Sequence, residues 1–233
     1  MLTTHDRVAL ISGANRGIGR AVAAELDRAG YRLSLGARDP ASLADLADRH
    51  LTHAWDALEP ASSAKWVEAT LARYGRIDAL VLNAGVLLPV GMESGSDDDL
   101  DTMWAVNFKG PLHLVRAALP ALRRSGTGRI ANVASLAGKR LLSPDALGYA
   151  ASKHAAMALT HAIRQHGWAD GIRATAICPG LVETDMTEKV SAPQGQYKIQ
   201  PETIAATIAH VLALPNEATI AEVLINSRIE LSL

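Results

Sequence analysis

Val8-Ala9-Leu10-Ile11-Ser12-Gly13-Ala14-Asn15-Arg16-Gly17-Ile18-Gly19 is the stretch from which the fold can be read. Val8–Ile11 is a continuous apolar run of strand length, the pattern of a parallel strand covered on both faces. A glycine-rich turn follows, and Ala21–Ala29 then reads as a helix closed by Gly30. Glycines let a backbone turn tightly and let a pyrophosphate approach without meeting a Cβ atom. The N-terminus of the following helix offers unpaired N–H groups and a partial positive charge. The spacing is G-x-x-x-G-x-G, not the commoner G-x-G-x-x-G. Taken alone, it also fits a turn that merely packs a helix on a strand.

The alternation continues outward from this turn. Strands are expected at Tyr31–Ala37, Leu51–Trp55, Ala79–Leu82, Arg129–Val133, Ile172–Cys178 and Ile220–Asn226. Helices are expected at Pro40–His50 (with Asp39 as N-cap), Ala61–Tyr74, Asp97–Arg123, Tyr149–His166 and Pro201–Leu214. Seven strands alternating with helices predict an α/β fold: one doubly wound, Rossmann-type domain over residues 1–233, with a seven-stranded parallel sheet and helices on both faces. The longest stretches without a periodic pattern are Val86–Ser96, Leu136–Leu147 and Pro179–Gln200. All three follow carboxyl ends of strands, the edge of an open α/β sheet where ligands bind.

Composition narrows the function classes. A net charge of −1 over 233 residues and 4% aromatics give no case for nucleic acid. No basic block suggests an anionic membrane, no apolar run approaches the ~18 residues of a span, and the N-terminus has no secretory pattern, so a cytoplasmic protein is expected. The single cysteine, Cys178, lies in an apolar run and reads as a core residue. Asp97-Asp98-Asp99 with Asp101 read as a solvated helix start, and the eight histidines show no zinc spacing, so no metal is expected. His154 is read as packing or interface.

Two residues carry a recognisable chemistry. Tyr149 and Lys153 stand four apart on one helix face. An adjacent ammonium favours the phenolate, bringing tyrosine from ~10 toward the range of a general acid/base. Ser135 ends a strand without a G-x-S-x-G surround or a neighbouring base, which assigns it to holding a substrate oxygen and not to attacking it. Asn107 reads equally as a buried amide capping local backbone.

These segments together resemble the short-chain dehydrogenase/reductase family. Ser12–Gly19 resembles its T-G-x-x-x-G-I-G cofactor motif, with Ser12 for threonine. Leu82-Asn83-Ala84-Gly85 resembles N-N-A-G, departing at Leu82; Tyr149-Ala150-Ala151-Ser152-Lys153 is a full Y-x-x-x-K; Pro179-Gly180-Leu181-Val182-Glu183-Thr184 resembles P-G-x-V-x-T. Asp78 resembles a frequent family position with backbone or capping work. The chain end from Asn226 departs, lacking the family's frequent glycine pair. The resemblance implies a catalytic set of Asn107, Ser135, Tyr149 and Lys153, with Asn107 helping to hold a water beside the lysine. It implies cofactor contacts from Gly13, Asn15, Arg16, Gly17, Ile18, Gly19, Arg38, Asp56, Asn83, Ala84, Gly85, Tyr149, Lys153, Pro179, Gly180, Val182 and Thr184. The implied reaction moves a hydride between NADP(H) and a carbonyl or alcohol, with Tyr149 exchanging the proton. The alternative class is a catalytically silent dinucleotide-binding sensor or scaffold, in which one of the four groups is free to be lost.

Charge separates the two nicotinamide cofactors. Ala37 occupies the position resembling an NAD-selecting acid, Arg38 follows it, and Arg16 adds a second guanidinium, so NADP(H) is expected over NAD(H). Asp39 is the complication, discounted because Pro40 makes it a helix cap. Leu87, Leu88, Met92, Leu136, Leu141, Leu142 and Met186 are expected to line the substrate site, favouring a hydrophobic aldehyde or ketone. Residues 185–200 read as a lid with Pro193 and Gly195 as bends. Ala151, Ala155, Ala158 and Ala162 form a small-residue stripe that suits close packing on the sheet or on a partner helix, and the resemblance implies a homodimer or homotetramer.

Overall fold

In the computed structural model, which describes residues 1–141, 143–190 and 197–227, alternate residues of the first strand point to opposite faces. β1 (Val8–Ser12) sends Ala9 and Ile11 into one apolar cluster and Val8 and Leu10 into another. A strand buried on both sides must be apolar throughout, which is why its sequence does not alternate. The other strands are β2 (Arg32–Ala37), β3 (Leu51–Ala54), β4 (Ala79–Leu82), β5 (Arg129–Val133), β6 (Arg173–Pro179) and β7 (Glu222–Ile225). They form one parallel sheet in the order β3-β2-β1-β4-β5-β6-β7. The order reverses at β1, with β2 on one side and β4 on the other, leaving a crevice at their carboxyl ends.

Helices α1 (Gly17–Arg28) and α6 (Pro201–Leu212) cover one face through Val22, Leu26, Ile204 and Ile208. Helices α2 (Pro60–Tyr74), α4 (Gly110–Ser125) and α5 (Leu147–Gly167) cover the other through Trp66, Leu114, Ala118, Leu159 and Ile163. Cys178 sits in a third, smaller cluster with Met157, and burial pushes its thiol up to about 11. Among the described residues, no helix is long and apolar enough to cross a membrane.

Three expected elements differ. The segment Pro40–His50 is a 3₁₀ helix over Pro40–Leu46, capped by Asp39 accepting from the Ala41 N–H at 2.9 Å. The helix expected over Asp97–Arg123 starts as α3 (Asp97–Trp104), widens to a π-turn over Ala105–Lys109, and resumes as α4. Ser96 caps α3, and the acids Asp97, Asp98 and Asp99 form its first turn, where the helix dipole favours them. The first helix begins at Gly17, inside the glycine turn, not at Ala21. The alanine stripe of α5 faces away from the sheet: Ala151, Ala158 and Ala162 are exposed. Leu142, the bends Pro193 and Gly195, and residues 228–233 lie outside the described residues.

Candidate active site

The glycine turn is tied to its neighbours before any ligand is considered. Ser12 Oγ accepts from the Asn83 and Ala84 N–H groups at 3.0 and 3.1 Å, and Asn83 Nδ2 donates to the Ser12 and Gly13 carbonyls at 3.0 Å each. The Gly13 and Ala14 N–H groups donate to the Gly36 carbonyl at 2.8 and 3.2 Å. The turn is therefore pinned to the ends of β2 and β4 together. Gly19 is obligatory for packing, since a Cβ there would stand 2.1 Å from the Gly13 oxygen.

Gly17 has φ 53°, and a Cβ on it would reach 3.1 Å from Thr184 Cγ2. This glycine faces the segment after β6, so the two walls of the crevice meet where a side chain would block them. At the head of α1, Arg16 provides no side-chain cap and no acid lies in the first turn. An uncapped helix start beside a glycine cradle fits a pyrophosphate. Asn15 and Ile18 are half-buried in the same turn, with Ile18 against the core.

The second part of the site gathers at the start of α5. Lys153 is 5% exposed, donates to the Val133 carbonyl at 2.9 Å, and holds its Nζ 5.7 Å from the centre of the Tyr149 ring. Ser135, at the end of β5, accepts from the Ala137 N–H at 3.1 Å and heads a short 3₁₀ turn. Burial pushes the half-buried Tyr149 phenol up to about 12, partly offset by hydrogen bonding with Ser135. Burial brings the Lys153 ammonium down to about 8. This differs from the expected lowering of the tyrosine. Desolvation disfavours the charged form of each group and is the largest cause of both shifts.

Asn107 lies in the π-turn. Its Oδ1 accepts from the Val86 N–H at 2.8 Å, and its Nδ2 donates to the Val86 carbonyl and to Ser152 Oγ at 2.9 Å each. Ser152 in turn donates to the Tyr149 carbonyl at 2.8 Å. The Asn107 amide is thus committed to protein groups and ties the loop after β4 to the helix bearing Tyr149. Gly85 completes this junction, since a Cβ there would come within 3.3 Å of Asn107 Oδ1 and 3.5 Å of Lys153 Nζ.

The remaining residues divide between the crevice and other work. Gly180 follows β6, and Thr184 caps the 3₁₀ turn Asp185–Thr187. Val182 and Pro179 are buried, with Val182 in the core beside Ile199. Asp56, after β3, accepts from the Leu58 N–H at 2.9 Å. Asp78 is fully buried, accepting from the Val8 N–H and chelated by Arg76. At the end of β2, Ala37 is buried and Arg38 exposed, without a hydrogen bond or ion pair among the described residues.

Sequence reasoning missed the bridging roles of Ser12 and Ser152. The Ser12-for-threonine match was the only signal for the first, and nothing local marks the second. Two concavities of about 420 and 680 Å³ lie outside the Tyr149–Lys153 centre. The smaller lies between α1 and the Pro40–Leu46 segment. The larger borders the centre through Gly148 and is lined by Val90, Met92, Leu100 and Leu147, so Met92 faces this outer hollow.

A sequence model described as short chain dehydrogenase matches residues 7–195. The chain is 39% identical to an agropine synthesis reductase of Rhizobium rhizogenes over 216 residues, 91% of this chain but 50% of that protein. The chain thus spans about half the length of such relatives. It is 31% identical to an uncharacterised oxidoreductase of Staphylococcus saprophyticus, covering 96% of this chain and 98% of that protein. Among solved structures, an alcohol dehydrogenase from Thermococcus sibiricus complexed with 5-hydroxy-NADP superposes with a TM-score of 0.88 at 31% identity, covering 97% of this chain and 100% of the other.

Proposed function

Because the chain belongs to the short-chain dehydrogenase family of oxidoreductases, we propose that it is an NADP(H)-dependent enzyme interconverting a hydrophobic aldehyde or ketone and its alcohol, with Ser135, Tyr149 and Lys153 at the reacting centre. The observation that carries this reading is the juxtaposition of a neutral phenol, a buried ammonium and a strand-end serine beside an uncapped helix start. A bound nicotinamide supplies or accepts the hydride. Tyr149 supplies the proton: a phenol held up at about 12 is protonated at neutral pH and acts as a donor to a carbonyl oxygen. Ser135 orients that oxygen, and Lys153 places a positive charge beneath the site. Asn107 and Ser152 fix the helix start that aims Tyr149.

The NADP(H) preference is supported by the exposed Arg38 at the end of β2, unengaged among the described residues, and by Asp39 being occupied as a cap. A substrate lid over residues 185–200, of which 191–196 lie outside the described residues, and a homodimer or homotetramer belong to the same reading. Apolar Leu87, Leu141 and Met186 stand exposed after the strand ends, which supports a hydrophobic substrate. The test is to follow NADPH and NADH absorbance with a panel of aldehydes, ketones and quinones. Turnover with NADPH and an apolar carbonyl is expected. Tight cofactor binding with no turnover across the panel would instead mark a sensor.

A further inference from the structure

The one ion pair that bridges the two walls of the crevice, among the described residues, joins Arg16 of the glycine turn to Asp185 after β6, Nη1 to Oδ2, at 3.2 Å. Thr184, the residue before Asp185, is the one that faces Gly17, the residue after Arg16. The pair therefore sits beside a close approach of the two walls. Both side chains are about two-thirds exposed, 65% and 63%, so the pair is open to competition. On the other side of the turn, Arg38 has no such partner among the described residues.

A phosphate on the adenosine ribose is a dianion that draws on every guanidinium within reach. The Asp185 carboxylate competes with that dianion for Arg16. A cofactor without the phosphate makes no demand on Arg16 there and is indifferent to the competition. We propose that Asp185 is a specificity-determining residue that limits the preference for NADP(H) over NAD(H) by holding Arg16 across the crevice; this rests on the NADP(H) reading above. Negative determinants of this kind set specificity as a difference between two affinities. Exposed pairs of this geometry couple weakly, so the effect expected on releasing Arg16 is about two- to fivefold.

The experiment measures binding and not turnover. NADPH, NADH, adenosine 2′,5′-bisphosphate and AMP are titrated by calorimetry against wild type, Asp185→Asn, Arg16→Gln and the double variant. Asp185→Asn should tighten NADPH and the bisphosphate by about two- to fivefold, leave NADH and AMP unchanged, and lose its effect in the Arg16→Gln background. An equal change for all four ligands, weaker binding of the 2′-phosphorylated pair, or a gain that persists without Arg16 would overturn the proposal. If wild type binds the bisphosphate no tighter than AMP, the NADP(H) reading falls together with it. If wild type favours the bisphosphate and Asp185→Asn leaves that ratio unchanged, only the role of Asp185 is refuted.

Discussion

Replacing Lys153 with methionine should stabilise the protein while removing its activity. The Lys153 ammonium is 5% exposed, its nitrogen has the Val133 carbonyl at 2.9 Å, and no carboxylate among the described residues pairs with it. Burial brings it from the ordinary 10.5 to about 8, a gap worth about 3 kcal/mol against the charged form at neutral pH. Methionine keeps an unbranched apolar stem and removes the charge, at a loss of about 1 kcal/mol for the hydrogen bond. The net gain is about 2 kcal/mol, or roughly 4–8 °C in Tm for a chain of this size. The sign follows from proton linkage. Below about 8, both folded and unfolded lysine are charged and the wild type carries the whole penalty. Between about 8 and 10.5 the folded lysine gives up its proton while the unfolded one keeps it, so the wild type recovers. The advantage of Lys153→Met should therefore be largest at pH 7 and shrink across that interval, read by calorimetric melting at several pH values. A variant that is less stable at pH 7, or an advantage that does not change with pH, would show that burial does not penalise the Lys153 ammonium.

Tyr149→Phe should lower kcat by about 10²–10⁴-fold while leaving the calorimetric affinity for NADPH within twofold, since it removes the transferable proton and little else; a variant keeping more than about a tenth of wild-type kcat would remove Tyr149 from its role. Arg38→Ala should lower kcat/KM for NADPH by about tenfold or more and leave NADH nearly unchanged, as loss of a charge-assisted contact requires. It is a cleaner test than adding Ala37→Asp, because Ala37 is 3% exposed and an acid there also costs folding stability. Light scattering should show an assembly larger than the 24.6 kDa chain, dissociated by Trp104→Glu, because Leu100, Trp104 and Leu147 are exposed beside the outward alanines of α5. A 24.6 kDa species alone at micromolar concentration would defeat it.

The residues around the glycine turn determine much of this protein without help. Val8–Ile11 must be covered on both faces because every residue in it is apolar, and Gly19 must be glycine because the turn closes on it. The Tyr149–Lys153 spacing puts both groups on one helix face wherever that helix lies, and the Asp39–Pro40 pair reads as a cap from the local chain alone. These are short-range consequences of covalent geometry and periodicity. Tertiary structure decided the rest, because it depends on groups far apart in the chain. The π-turn that carries Asn107 is not visible in helical periodicity; in the fold, the Asn107 amide bonds Val86 and Ser152, 21 and 45 residues away. The direction of the Tyr149 shift differs from the sequence expectation for the same reason. Spacing reveals the ammonium near the phenol, but only packing reveals how far each has been removed from water, and desolvation is the larger effect. Arg16 likewise reads as a free cation in the sequence, and becomes half of an ion pair only when β6 delivers Asp185 to the facing wall, 169 residues on.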